Sequence, residues 1–245
     1  MPAGRRVLIT GGGTGVGADL ARGFAGAGAE VVIAGRRTAP LEAVAADQPG
    51  LRCVQADVTD EASVAAMFAA AGPVDIVIAN AGAAESAPLG RTGLEMWERM
   101  MSVNLTGAFL TLREGAGQIL GWGRLIVVAS TAGLKGYGYV SAYTAAKHGA
   151  VGLVRAVAQE VARKDITANA LCPGFLDTEM TERSITNIMD KTGKDRDGAL
   201  RALTATNPQG RLVAPAEVTA AALWLCGPGS DAVNGQAIAI AGGEI

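Results

Sequence analysis

Tyr143-Thr144-Ala145-Ala146-Lys147 sets a phenol and an ammonium four residues apart. On a helix that spacing brings both groups to one face. A neighbouring lysine cation stabilises phenolate and so lowers a tyrosine pKa toward working pH, as acid–base catalysis requires. Thirteen residues earlier, Ser130 closes the apolar run Leu125–Ala129, where its hydroxyl could polarise a carbonyl. Such a Tyr-x-x-x-Lys pair arises by chance only about 0.06 times in a chain of this composition. Taken singly, Ser130 reads as a strand-end cap and Tyr143 as a surface aromatic. Together they read as a proton donor beside a carbonyl-holding hydroxyl.

A second constellation lies near the start of the chain. Thr10-Gly11-Gly12-Gly13-Thr14-Gly15-Val16-Gly17 separates a short β-branched run from an Ala-rich helical one. Glycines permit a tight turn there and let backbone approach a pyrophosphate at a helix N-terminus, where free N–H groups and the dipole favour anions. The spacing is Thr-Gly-x-x-x-Gly-x-Gly, and a chance match is expected roughly 0.05 times. A glycine turn needed only for packing is the plainer reading, but its place directly after the first strand favours nucleotide binding. The next apolar run ends Ala34-Gly35-Arg36-Arg37. In dinucleotide-binding folds an acid at this place holds a ribose 2′-OH, whereas a base accommodates a 2′-phosphate. Gly35 stands where the acid would be, and Arg36 and Arg37 follow. This favours NADP(H) over NAD(H), against the bland alternative of a solvated loop pair.

These residues need a frame. Strand patterns fall at Arg6–Thr10, Glu30–Ala34, Leu51–Ala56, Val74–Ala79, Arg124–Ala129, Thr167–Leu171 and Gln236–Ile240. Helical patterns lie near 15–28, 60–71, 93–120, 141–163 and 215–226. Strands such as Ile76-Val77-Ile78 show little alternation, as expected when helices cover both sheet faces. The chain therefore predicts an α/β fold: a single-domain, Rossmann-type, doubly wound parallel sheet of about seven strands over residues 1–245. From Thr178 to Leu212 the chain turns polar and charged without a strand pattern. It is either a solvated excursion or a substrate lid.

Composition excludes several classes. Hydrophobic residues make up 49% of the 245 and charged ones 18%, which rules out a disordered chain. A net charge of -2 offers no broad basic field for nucleic acid. No apolar run reaches the length of a membrane span, and Val7-Leu8-Ile9 stops too soon for a signal peptide. Three widely spaced cysteines form neither a disulfide framework nor a zinc pattern, so a reducing cytoplasm is expected. His148, the only histidine, shares a narrow polar stripe with Arg155, Gln159 and Arg163 and reads as a surface residue. The helix at 141–163 is apolar around most of its circumference, more than one sheet face needs. Its outer side is expected to be buried by another subunit.

Thr10–Gly17, Asn80-Ala81-Gly82, Asn104, Ser130, Tyr143-x-x-x-Lys147 and Pro173-Gly174 resemble, in order and spacing, the short-chain dehydrogenase/reductase family over essentially the whole chain. Within it the look is that of 3-oxoacyl-thioester reductases, 3-hydroxyacyl-CoA dehydrogenases and polyketide ketoreductases. The resemblance implies the strand order 3-2-1-4-5-6-7 and a homotetramer. It implies that Tyr143 is the general acid in reduction and base in oxidation, and that Lys147 binds the nicotinamide ribose and depresses the tyrosine pKa. Ser130 then holds the substrate oxygen, and Asn104 keeps a water in the proton relay. Gly11, Gly13, Thr14, Gly15, Val16 and Gly17 take the pyrophosphate. Asp57 and Val58 meet the adenine end, and Asn80, Ala81 and Gly82 line the cleft. Pro173, Gly174 and Thr178 flank the nicotinamide amide and pyrophosphate. No metal is implied, because the hydride belongs to the cofactor and protein groups supply the proton.

Two departures stand out. The family's common Asn-Asn-Ala-Gly is here Ala79-Asn80-Ala81-Gly82, which removes one side chain near the cleft but no catalytic group. Thr14 stands where some NADP-using members carry a base, so Arg36 is the main basis for NADP. The expected reaction interconverts a small-molecule ketone and a secondary alcohol, most simply a 3-oxoacyl and a 3-hydroxyacyl thioester. Non-thioester ketones (aryl, polyketide or sugar) are the alternative substrates. A non-catalytic dinucleotide-binding regulator is the competing class, but such a protein could lose its proton-transfer residues, and all four are present.

Overall fold

A computed structural model describes residues 2–245. The described residues form one seven-stranded, wholly parallel sheet: β1 (Arg6–Thr10), β2 (Glu30–Gly35), β3 (Arg52–Gln55), β4 (Ile76–Ala79), β5 (Gly123–Val128), β6 (Ile166–Pro173) and β7 (Ala237–Ile240). Their spatial order is β3-β2-β1-β4-β5-β6-β7. The order reverses between β1 and β4, which opens a crevice at the carboxyl ends of these strands.

Alternate residues of each strand feed two cores. Leu8, Val32, Val77 and Leu125 point to one face, covered by α3 (Glu61–Ala71), α5 (Gly107–Gln118) and α6 (Ser141–Val161). Val7, Ile9, Ile33, Ile76 and Ile78 point to the other, covered by α1 (Gly15–Gly26), α2 (Thr38–Ala46) and α9 (Pro215–Leu225). Each such fully buried aliphatic side chain contributes roughly 1.5–3 kcal/mol, so the central strands are the rigid part of the molecule. Both faces being dry explains why the strands read as continuous apolar runs.

Three elements differ from the sequence expectation. Helix α2 fills the crossover between β2 and β3, where no helix was expected. It has nine residues and buries only Leu41 and Val44, too little for a periodic signal. The single helix expected near 93–120 is broken. It divides into α4 (Leu94–Met101), a wide π turn over Ser102–Thr106, and α5. The π turn carries Asn104, whose side-chain amide donates to the Met100 carbonyl at 3.0 Å. The polar stretch after Thr178 is helical too, forming α7 (Glu179–Thr192) and α8 (Arg196–Thr204). Asp195 caps α8 by accepting from the Gly198 N–H at 2.7 Å. Its charged residues occupy the outer faces, so its core signature is confined to Thr181, Ile185, Ala199 and Thr204.

Candidate active site

The glycine turn follows β1 and is braced from β4. The Asn80 side-chain amide donates to the carbonyls of Thr10 and Gly11, at 3.0 and 3.2 Å. In return the Thr10 hydroxyl accepts from the backbone N–H groups of Asn80 and Ala81. A Cβ at Gly17 would fall 2.1 Å from the Gly11 carbonyl oxygen, so only glycine lets the helix begin this close to the strand end. Asn80 therefore supports the turn from behind rather than merely lining the cleft. This departs from its expected part, and the reason is geometric: its amide is spent on backbone carbonyls.

Helix α1 begins at this turn without a side-chain cap from Thr14 and without an acidic residue in its first turn. Its free N–H groups and positive dipole end thus face the crevice, as an anionic diphosphate requires. Thr178, at the start of α7, brings its methyl group to 3.4 Å from where a Gly15 Cβ would sit, which places it over the turn. A cleft of about 160 Å³ opens beside it. Gly11, Gly13, Thr14, Arg36, Arg37, Asp57, Val58, Ala81 and Gly82 all line this one cleft, so the sequence-predicted adenine-side residues converge. Pro40, Leu41 and Val103 line it as well, and sequence reasoning missed them. Pro40 and Leu41 belong to the unforeseen helix α2, and Val103 to the unforeseen π turn. Burial pushes the Asp57 carboxyl up, but hydrogen bonds from Thr59 and the nearby Arg36 charge outweigh it and hold the group below its ordinary range. These residues fit a nicotinamide dinucleotide.

The second cluster forms where β5 and β6 end against α6. Ser130 follows β5, and its hydroxyl accepts from the Ala132 N–H at 3.1 Å. Lys147 is buried on α6, and its ammonium donates to the Val128 carbonyl at 2.9 Å. It lies 5.6 Å from the centre of the Tyr143 ring. Asn104 is buried nearby, donating to the Ala83 carbonyl at 2.9 Å and accepting from the Ala83 N–H at 3.2 Å. A Cβ at Gly82 would meet Asn104 Oδ1 at 2.9 Å and Lys147 Nζ at 3.6 Å, so Gly82 keeps these two polar groups together. Pro173 ends β6, and the Gly174 N–H donates to the Ile240 carbonyl at 3.0 Å. His148 is exposed, and its ring Nδ1 lies 2.9 Å from the Thr144 carbonyl of its own helix.

The electrostatics correct one expectation. Burial pushes the Tyr143 phenol above its ordinary pKa, with a hydrogen bond to Ser130 pulling the other way; Lys147 does not offset the burial. Burial also lowers Lys147 itself, to about 8. Two groups that both lose solvation are each pushed toward their neutral forms, and the ammonium lies 5.6 Å from the ring with one of its three protons donated to the Val128 carbonyl. Cys172 shares this locus on β6; burial pushes its thiol up to about 11.

A parallel sheet with a diphosphate-ready turn at its switch point and a Ser, Tyr and Lys group one strand away defines a nucleotide-dependent oxidoreductase. The family model described as short chain dehydrogenase matches residues 5–188, and the chain belongs to that family. It is an oxidoreductase that interconverts a ketone and a secondary alcohol with a nicotinamide dinucleotide. A D-beta-hydroxybutyrate dehydrogenase of Cupriavidus necator is 35% identical, with 100% of this chain and 99% of that protein aligned. The 3-oxoacyl-acyl-carrier-protein reductase MabA of Mycobacterium tuberculosis is 32% identical over 98% of this chain and 92% of its own. Among solved structures, a point variant of the actinorhodin polyketide ketoreductase with NADPH superposes with a TM-score of 0.91. It is 33% identical, covering 98% of this chain and 97% of that one.

Proposed function

We propose that this protein reduces a 3-oxoacyl thioester with NADPH, using Tyr143 as the proton donor. The observation that carries this is the meeting of Ser130, Tyr143 and Lys147 at the end of β5, one strand from the glycine turn. The bound cofactor supplies the hydride at the carbonyl carbon. Ser130 and Tyr143 hold the carbonyl oxygen, and the Tyr143 hydroxyl, kept protonated by burial, gives it a proton as charge develops. Lys147, anchored on Val128, holds the nicotinamide ribose, and Asn104 keeps the water that returns the proton. Gly11, Gly13, Thr14, Gly15, Val16, Gly17 and Thr178 hold the pyrophosphate. Arg36 and Arg37 face the 2′-phosphate, while Asp57, Val58, Ala81 and Gly82 line the adenine side. Pro173 and Gly174 flank the nicotinamide amide.

NADPH is preferred in this reading because Gly35 leaves the end of β2 without an acid and Arg36 borders the cleft. The NADPH in the polyketide ketoreductase structure favours the same choice and supports a polyketide ketone as the second substrate reading. The whole chain is one catalytic domain, and α7 and α8 form its lid. Asn187 of α7 already reaches Ser86 of the β4–α4 loop at 3.3 Å. The protein works in the cytoplasm as a homotetramer. Leu94 and Trp97 of α4, Phe109 of α5 and Ala156 of α6 stay exposed in the single chain.

The deciding experiment is a cofactor-oxidation assay with acetoacetyl-CoA, longer 3-oxoacyl-CoAs and aryl ketones, each with NADPH and with NADH. Turnover of the thioesters at higher kcat/KM than the aryl ketones supports the reading, and inertness toward every ketone overturns it. Light scattering behind a sizing column tests assembly. A mass near the 24.7 kDa of one chain would overturn the tetramer.

A further inference from the structure

Chain ends usually fray, because few contacts tie them down. Here the penultimate residue does the opposite. The Glu244 side chain is only 1% exposed. Its Oε1 accepts from the Tyr137 hydroxyl at 2.6 Å and the Thr206 hydroxyl at 2.6 Å, and it pairs with the Lys135 ammonium at 3.1 Å. Its Oε2 lies 3.2 Å from where a Cβ of Gly174 would stand. Burying a carboxylate costs several kcal/mol unless it is paired and hydrogen-bonded, and the three donors on Oε1 meet that condition here.

The partners come from separate parts of the molecule. Lys135 and Tyr137 belong to the loop that follows Ser130, Thr206 lies just beyond α8 of the lid segment, and Gly174 follows β6. With its one proton given to Glu244, the Tyr137 oxygen accepts from the hydroxyl of Thr131, 2.7 Å away, the residue next to Ser130. Its ring packs edge-on against Phe175, with centroids 6.5 Å apart. Tyr137 is therefore held from both sides, by Thr131 near the reacting hydroxyls and by Glu244 from the chain end.

We propose that Glu244 is a positioning residue for the ketone pocket: its carboxylate holds Tyr137 as one wall and ties that wall to the lid through Thr206. Three donors converge on Glu244 Oε1, which leaves that oxygen no part in the chemistry. It acts through Tyr137. This rests on the reading of Tyr143 as proton donor and of 178–212 as lid.

The test uses the full chain and the variants Glu244→Ala, Glu244→Gln, Tyr137→Phe, Thr206→Val and the double variant Glu244→Ala/Tyr137→Phe. Glu244→Ala is expected to raise KM for a long 3-oxoacyl-CoA about tenfold, which is 1.4 kcal/mol, with kcat and NADPH Kd within about threefold of the parent. Glu244→Gln, which keeps acceptors for both hydroxyls but loses the Lys135 ion pair, is expected to restore most of the KM. The double variant is expected to be no worse than Glu244→Ala, because both changes cut the same tie. Multiplying effects in the double variant, or an unchanged KM, would overturn the proposal. So would a collapse of NADPH binding alongside KM. Thr206→Val removes only an exposed hydroxyl and reads the lid tie should Glu244→Ala fold poorly; an unchanged KM for it in that case overturns the link to the lid. If the parent turns over no ketone, amide hydrogen exchange still decides. Faster exchange in both 131–139 and 196–212 for Glu244→Ala supports the latch, and unchanged exchange sinks it.

Discussion

The two halves of the crevice are held together by different means. On the cofactor side, the glycine turn, Asn80 and Thr10 are joined by bonds that each run from a short side chain to backbone, over strands that are almost wholly buried. On the other side, the 131–139 loop, the residues after α8 and Glu244 meet through polar side chains gathered around a buried carboxylate. A backbone-built site tolerates no added atoms but does not depend on distant residues. A side-chain-built site accepts substitution more readily and can be retuned one contact at a time. A fixed ligand suits the first and a variable substrate suits the second.

The sharpest test of this contrast lies at the point where the halves meet. Tyr143→Phe is expected to lower kcat by about a thousandfold while NADPH binding stays within a factor of two, because only the proton donor is lost. A residue of more than a few per cent activity would assign the proton to another group. Stopped-flow cofactor oxidation with a fluorescence titration measures both.

Breaking the cofactor side should cost nearly as much. In Gly17→Ala the new methyl would sit 2.1 Å from the Gly11 carbonyl oxygen and 2.5 Å from the Asn80 amide nitrogen, so the turn must shift. NADPH Kd is expected to rise about a hundredfold, with about 1–3 kcal/mol of stability lost. An unchanged titration would show that the turn is not the diphosphate site.

Retuning the same side without breaking it is the next test. A Cβ at Gly35 would lie 3.7 Å from Leu41, an ordinary contact, so an added side chain fits. Gly35→Asp combined with Arg36→Ser is expected to move the kcat/KM ratio toward NADH by about tenfold or more, one good charge contact being worth that much. Parent enzyme that already prefers NADH at equal concentrations would refute the 2′-phosphate reading.

The smallest effect is a pH limb. Lys147 has its pKa lowered to about 8 by burial, so it is charged below that pH and neutral above it. The Tyr143 phenol is pushed up, so it stays protonated over the same range. Reduction should therefore hold below pH 8 and fall as pH rises through it, toward about tenfold per pH unit. A kcat/KM profile flat to pH 10 would show that the lysine charge is dispensable.

Much of this was legible from local patterns. β1, the glycine turn and β2 lie where the apolar runs and glycines put them; strand–helix alternation led to the doubly wound sheet, and the family resemblance to its observed order. Helix α2 was missed because two buried residues in nine leave no period. The π turn was missed because Ser102–Thr106 continues a helical pattern and differs only in which carbonyl each N–H finds. The expected depression of the Tyr143 pKa is not met for a related reason: spacing says that Lys147 shares a helix face, but not that burial strips water from both groups.

The amino-acid sequence by itself determined the sheet, the diphosphate turn and the identity of the reacting groups. These depend on residues that act within a few positions of one another, through backbone freedom, strand period and helix spacing. Only the tertiary structure decided the cluster around Glu244. Tyr137 and Glu244 are 107 residues apart, and Thr206 and Glu244 are 38 apart. No local preference encodes such a meeting, because a hydroxyl and a carboxylate remain solvated until the folded sheet brings their separate segments together and strips the water away.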